Sequence, residues 1–339
     1  MKNIYVGLSG GVDSAVSAAL LQERGFSVTG VFIKIWQPEF IECTWREDRL
    51  DAMRVAASLG IPFRELDLSA EYRDAVITDL TQEYARGRTP NPDVLCNRHI
   101  KFGVFAQWAR AEGADAIATG HYARISETGE LMQAADTSKD QSYFLWQLTP
   151  ADLSRALFPI GDMKKSAVRS YAASRGLPVA QKRDSQGLCF VGQITLPEFL
   201  SHYLTLTPGD VVDEEGRIIG RHSGAQHYTR GQRHGFSTTS AEPHYVITSD
   251  VSRNRIVVSP DRSRAMTTTF AIESCNWLTD SRGTLTAHLR YHDTGTFAHV
   301  EEKNGITHIT TDTPVIATPG QSIVLYRGDI VVGGGIVSG

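Results

Sequence analysis

The first 120 residues alternate between short apolar runs and longer amphipathic stretches. "NIYVGL" (3–8), "VTGVFIKIW" (28–36), "FRELDL" (63–68) and "DAIATGHY" (115–122) read as buried strands. Residues 13–24 carry Val16, Ala19 and Leu20 at helical spacing, and Gly25 stops that helix. Further helices are expected over 48–59, near 70–86 and over 98–112. Strands separated by helices of this length predict an α/β doubly wound parallel sheet covered on both faces. Beyond residue 205 the helical period fades. "HYVITSD" (244–250), "RIVVSP" (255–260), "TLTAHLRYH" (284–292), "FAHVEE" (297–302) and "QSIVLYRGDIVVGGGIV" (321–337) are short β-rich runs between polar turns. They predict small β domains or a barrel. "TLTPGDVVDEEG" (205–216) reads as the linker into them. The expected domains are 1–204, a β-rich middle domain over 205–265, and a C-terminal β-barrel over 266–339.

Composition adds limits. The 339 residues are 41% hydrophobic and 21% charged, the balance of an ordinary globular protein. "MKNIYVGLSGGVD" turns into glycine too early for a signal peptide, and no run reaches the length of a membrane span. A cytoplasmic protein with no membrane partner is expected. The net charge of −4 speaks against a globally basic nucleic-acid binder, although local patches suffice. "GRHSGAQHYTRGQRHG" (220–235) gathers Arg221, Arg230 and Arg233 with Tyr228, a reasonable phosphate-contacting patch. The four cysteines, Cys43, Cys96, Cys189 and Cys275, form no CxxC pair, so a zinc or iron–sulfur site is not expected.

Ser9-Gly10-Gly11-Val12-Asp13-Ser14 stands between a predicted strand and a predicted helix. Backbone N–H groups at a helix N-terminus attract anions, and two glycines admit phosphate close to the backbone. Ser9 and Ser14 add hydroxyls, and Asp13 can hold a magnesium ion that bridges phosphates. The loop has no Walker lysine, which suits cleavage at the α-phosphate better than transfer of the γ-phosphate.

Two cysteines have telling surroundings. Cys96, in "RTPNPDVLCNRHIKFG" (88–103), follows a proline-rich loop and is expected at the N-terminal edge of the helix near Asn97, where a thiol pKa falls. The competing reading is a small buried side chain. Cys189, in "KRDSQGLCFVG" (182–192), has Lys182 and Arg183 upstream to stabilise a thiolate, set against an apolar "LCFV" that suits core packing. Cys275 reads as strand interior, and Cys43 takes no role.

"SGGVDS" resembles the PP-loop of ATP pyrophosphatases. "GLSGGVDS", "GRTPNPDVLCN", "KFG", "ATGHYAR", "KDQSYFLW", "LFPIGD", "KRDSQGLCFVG", "HYTRGQRHG" and "PGQSIVLYRGD" follow one another along nearly the whole chain. Together they resemble the bacterial-type tRNA-specific 2-thiouridylase (MnmA) family within that superfamily. The stretch from Ile35 to Asp48 is less family-like, and nothing is carried over from it. The resemblance implies ATP-dependent 2-thiolation of the wobble uridine of tRNA, with adenylation of the uridine oxygen and release of pyrophosphate and AMP. It implies ATP contacts at Gly7, Leu8, Ser9, Gly10, Gly11, Val12, Asp13, Ser14, Ile33 and Gly120. Cys189 becomes the persulfide carrier and Cys96 its partner thiol, leaving a Cys96–Cys189 disulfide. Whether hydrosulfide or the persulfide attacks the base stays open. Asn91, Pro92 and Asp93 face the target base, and Asp93 assists proton transfer. Contacts with tRNA fall to His121, Lys139, Asp140, Gln141, Arg290, Tyr291 and Gln321. The implied partners are tRNA, through its anticodon stem-loop, and a sulfur donor such as a cysteine desulfurase or relay protein. The alternative within the superfamily is an ATP-dependent ligase using ammonia, which would be indifferent to both cysteines.

Overall fold

A computed structural model describes residues 1–40, 45–183 and 194–339. Cys43 and Cys189 lie outside the described residues. The chain divides into two compact units. One comprises Met1–Val76, Asp329–Val331 and the described residues of Pro92–Gln193, and the other Ile77–Asn91, Ile194–Gly328 and Val332–Gly339.

The first unit is built on five parallel strands, β1 (Asn3–Gly7), β2 (Ser27–Lys34), β3 (Phe63–Asp67), β4 (Ala116–Ala118) and β5 (Ala156–Leu157). Their order is β3-β2-β1-β4-β5, with Ile4 opposite both Val28 and Ala116. The order therefore reverses between β1 and β4, the switch point where doubly wound sheets bind ligands beyond their strand ends. Helices α1 (Val12–Glu23) and α2 (Trp45–Leu59) connect the first three strands. Ile4, Val6 and Leu8 pack with Val16, Leu21, Val55 and Ala118 in one buried cluster, as near-continuous apolar strands require.

Three expectations change. The strand over 115–122 stops at Ala118, because the chain leaves the sheet at Thr119 to form the site below. The helix expected over 98–112 begins earlier, as α3 (Pro92–Leu95), because proline's fixed φ suits a first helical position. It continues as a π-helical segment, Cys96–Phe105, and ends as α4 (Ala106–Ala111). Cys96 therefore lies one turn inside helical structure and not at its edge. Finally, α5 (Lys165–Ser174) follows β5 and opens on a lysine.

The second unit is mostly β. Strands β6 (Gly209–Val212), β7 (Ile218–His222), β8 (Phe236–Thr238), β9 (Tyr245–Asp250) and β10 (Arg255–Ser259) form a sheet in the order β8-β7-β6-β10-β9. The expected linker over 205–216 thus contains β6, which pairs parallel with β10 and buries Val211 and Val212. The remaining strands, β11 (Thr267–Trp277), β12 (Leu285–His288), β13 (Thr296–Lys303), β14 (Ile306–Val315), β15 (Ser322–Arg327) and β16 (Ile330–Val337), run in the order β11-β14-β13-β12-β15-β16. Pairing of β16 with β11 closes them into a six-stranded barrel around Ile272, Leu285, Ile309, Leu325 and Val332. Cys275 sits in β11, as expected of a strand-interior residue.

The basic patch over 220–235 is not the surface its composition suggests. Tyr228 is buried, the Arg230 guanidinium donates to the Ile247 carbonyl at 2.9 Å, and Arg221 pairs with Asp210 at 2.5 Å. A tyrosine in apolar surroundings gains more from burial than from exposure, and here it joins the core of this sheet. Arg233 remains exposed.

Candidate active site

The loop after β1 is arranged as a phosphate cradle. Gly10 has φ 75°, and a Cβ there would stand 2.3 Å from the Asp48 carbonyl oxygen, so this position demands glycine. Gly11 precedes α1 without a side-chain cap, leaving the first amides of a 12-residue helix to an outside acceptor. The hydroxyls of Ser9 and Ser14 lie 3.2 Å apart, and the Ser9 amide donates to Ser14 Oγ. Gly7 pairs with Val31 of β2, and the Ile33 side chain lies against it.

The segment after β4 meets this loop. A Cβ on Gly120 would fall 2.7 Å from the Ser14 amide nitrogen, so only glycine lets the chain pass so close to α1. The next residue, His121, is almost fully buried. Its Nδ1 lies 2.7 Å from Thr119 Oγ1 and its Nε2 3.3 Å from Lys101 Nζ, with Phe102 and Phe158 against its ring. Burial, reinforced by the Lys101 charge, holds the imidazole well below its ordinary pKa, so it is neutral at pH 7. Lys101 belongs to the segment carrying Cys96, one helical stretch from Asp93. Burial pushes the Asp93 carboxyl above the usual carboxylate range, against the opposing pull of Lys101. Cys96 is half-buried, Asn91 and Asp93 flank the buried Pro92, and the Asn97 amide anchors this helix on the Phe144 carbonyl at 3.0 Å.

The loop expected to lack a lysine has one beside it. Lys165 Nζ lies 2.8 Å from both Asp13 carboxylate oxygens, and the Tyr122 hydroxyl donates to Asp13 Oδ1 at 2.8 Å. With both oxygens engaged, Asp13 does not fit the role of direct magnesium ligand, and no cluster of three acidic, histidine or cysteine side chains suits a metal among the described residues. Lys165, Tyr122, Thr119 and Lys101 are absent from the expected site. Tyr122 and Thr119 stand inside the quoted "ATGHY", and a lysine at a first helical position, against the helix dipole, is the signal that marks Lys165.

Other expected residues have different work. Lys182 Nζ is held at 2.7 Å by Asp48 and at 2.7 Å by Asp51, which commits its charge to these carboxylates and not to a thiolate. The Asp140 carboxylate accepts from the Ala134 amide and from Ser142, and Gln141 pairs with the Tyr122 backbone through its own amide and Oε1. Both therefore build the loop beside His121, while Lys139 is half-buried in the turn before them. In the second unit Arg290 and Tyr291 are exposed on the turn after β12, and Gln321 is half-buried beside β15.

Comparison with known sequences agrees with this arrangement. A family model described as "tRNA methyl transferase HUP domain" matches residues 2–193. A "tRNA methyl transferase PRC-barrel domain" matches 197–260, and an "Aminomethyltransferase beta-barrel domain" matches 267–337. A protein of Lysinibacillus sphaericus named tRNA-specific 2-thiouridylase MnmA is 42% identical over 98% of this chain and 93% of its own. This chain belongs to the tRNA-specific 2-thiouridylase family. A Geobacillus thermodenitrificans protein of the same name is 43% identical over 98% of this chain and 94% of its own. The domain descriptions speak of methyl transfer and the relatives of thiolation. Identity along the whole length of named relatives is the more specific of the two. Solved structures match loosely, such as a 4-thiouridine synthetase–RNA complex with bound ATP (20% identical, covering 60% of this chain and 50% of that chain, TM-score 0.39), a likeness too distant to carry detail.

Proposed function

We infer that this protein replaces oxygen by sulfur at carbon 2 of the wobble uridine of tRNA, using ATP. The observation that carries the reading is the adjacency of Gly120 and His121. One touches the start of α1 at the phosphate loop, and the other touches Lys101 on the helix of Asp93 and Cys96. A nucleotide held by Gly7–Ser14, Ile33 and Gly120 would thus lie next to a thiol and a carboxyl group of raised pKa.

The chemistry fits these parts. The uracil C2 carbonyl is a poor electrophile. Its oxygen attacks the α-phosphorus, forming an O–P bond while the bond to the β-bridging oxygen breaks and pyrophosphate departs. Asn91, Pro92 and Asp93 hold the flipped base, which an anticodon loop yields at least cost. Asp93, with a pKa moved toward neutrality, takes the proton from the base. Sulfur then bonds to carbon 2 and AMP leaves with the original oxygen. In one route Cys96 attacks the persulfide of Cys189 and liberates hydrosulfide. In the other the terminal sulfur of Cys189 attacks carbon 2, and Cys96 resolves the resulting mixed disulfide. Both end with a Cys96–Cys189 disulfide, which an external thiol reductant must reopen.

Magnesium accompanies ATP on its phosphates and screens their charge. Arg290, Tyr291 and Gln321, with Lys139 and the segment around His121, contact the tRNA, while Asp140 and Gln141 shape that segment. The sulfur donor is a cysteine desulfurase or its relay protein, and the compartment is the cytoplasm. Among the described residues no helix is long and apolar enough to cross a membrane. The test is mass analysis of tRNA nucleosides after incubation with ATP, magnesium and a sulfide source. 2-Thiouridine should form with wild-type protein and vanish with Cys189→Ser. Product formed at full rate by both Cys96→Ser and Cys189→Ser would overturn the thiol mechanism, and ATP-dependent incorporation of ammonia would favour the ligase.

A further inference from the structure

We propose that Lys165 is the pyrophosphate-binding cation of this loop, and that Asp13 occupies it until the nucleotide arrives. The proposal rests on the ATP-dependent reading above and adds a residue to it.

The geometry is unusual for a structural ion pair. Lys165 is the first residue of α5, a ten-residue helix, and Asp13 lies in the first turn of α1. Two helix N-termini, each favouring negative charge, therefore meet at one point. A lysine at a helix N-terminus opposes the dipole of its own helix, and this one retains only 9% of its surface. A buried ammonium in that position is unfavourable unless an anion faces it. The anion now facing it is the Asp13 carboxylate, with Nζ 2.8 Å from each oxygen. Asp13 also has a second partner ready, since the Tyr122 hydroxyl donates to Oδ1 at 2.8 Å and the Tyr122 ring lies under the ammonium with 5.6 Å to its centroid. Tyr122 can thus keep Asp13 solvated by a hydrogen bond when Lys165 turns to another acceptor. The backbone of Lys165 is independently fixed, because its amide donates to Asp136 Oδ2 at 2.8 Å. The side chain can change partners without moving the helix.

The neighbouring anion in the reaction is the triphosphate. Ser9–Ser14 surround the start of α1, one residue from Asp13. When uridine O2 bonds to the α-phosphorus, the electron pair of the breaking P–O bond goes to the β-bridging oxygen, and pyrophosphate gains a negative charge there. Lys165 answers that charge with its ammonium and keeps its protons throughout. The lysine that a Walker loop carries within its own sequence is here supplied from α5, 152 residues away.

The test uses the full-length protein and inorganic pyrophosphate as probe. Isothermal titration should show Lys165→Gln weakening pyrophosphate binding by about tenfold or more, and Asp13→Asn tightening it by removing the competing carboxylate. In single-turnover assays with ATP, magnesium and tRNA, Lys165→Gln should slow pyrophosphate release by about 100-fold, as loss of a charge-stabilising donor does. Should Lys165→Gln fold poorly, the neutral pair Asp13→Asn/Lys165→Gln removes the unpaired charge, and it should still bind pyrophosphate more weakly than Asp13→Asn alone. A purely structural ion pair predicts the opposite: the double variant recovers thermal stability and binds and releases pyrophosphate as Asp13→Asn does, which would overturn the proposal. Wild-type protein that releases no tRNA-dependent pyrophosphate would sink the ATP-dependent reading itself, whereas wild-type release matched by Lys165→Gln sinks only the role of Lys165.

Discussion

Gly120 passes so close to Ser14 that a single added carbon would stand 2.7 Å from the Ser14 amide nitrogen and 2.9 Å from the Asp13 carbonyl carbon. Both neighbours are backbone and cannot swing aside. Gly120→Ala should therefore destabilise the fold by about 1–3 kcal/mol, the usual cost of overpacking. It should weaken ATP binding more than any other alanine change outside the Ser9–Ser14 loop. Calorimetric melting and nucleotide titration check both. A variant with wild-type melting and affinity would show that the two segments separate in solution.

Substitution of the thiols should split the reaction in two. Cys96→Ser leaves the phosphate loop untouched, so tRNA-dependent pyrophosphate release should continue within about threefold while thiolation falls by at least about 100-fold. Cys275→Ser, in a barrel strand of the other unit, should thiolate at the wild-type rate. Equal loss in both cysteine variants would mean that the damage is structural.

Asp93 carries a pH signature in stability. Burial raises its folded pKa above the unfolded value, so the folded protein favours the protonated acid. Stability from this group is complete below the unfolded pKa and is lost as pH rises through the raised one. Asp93→Asn should match the wild-type melting temperature near pH 4 and exceed it increasingly toward pH 8, while abolishing thiolation. A melting difference independent of pH would contradict the buried placement.

His121 behaves in the opposite sense. Its folded pKa is depressed, first by burial and then by Lys101, so stability is complete above about pH 6.5, the ordinary value, and falls as pH drops toward the depressed one. His121→Gln should flatten the acid limb of the melting profile between pH 7 and pH 5. An unchanged acid limb would mean that this imidazole titrates normally.

Arg290 tests the RNA contact in the barrel. It is exposed on the turn after β12. Replacing it with alanine should weaken tRNA binding at low salt and reduce the slope of log affinity against log salt by about one, the signature of one lost phosphate contact. A slope equal to wild type would remove Arg290 from the interface.

The sequence by itself determined the parallel sheet, the phosphate loop and the β-rich C-terminal half, because strand and helix periods and glycine turns are local properties. "NIYVGL" and "VTGVFIKIW" became β1 and β2 within two residues at either end, and Ser9–Ser14 is the uncapped start of α1. "GDVV" was misread as linker, since four residues carry too short a period and their partner, β10, comes 43 or more residues later. Only tertiary structure decided which charges are already engaged. Lys182, Asp140, Arg230 and Tyr228 look available in the sequence, yet each is held by a partner or by the core. Lys165 looks like one more surface lysine and stands at the phosphate loop. Composition records what a side chain can bind. What it does bind depends on which remote segment the fold brings within hydrogen-bond distance, and no local pattern encodes that.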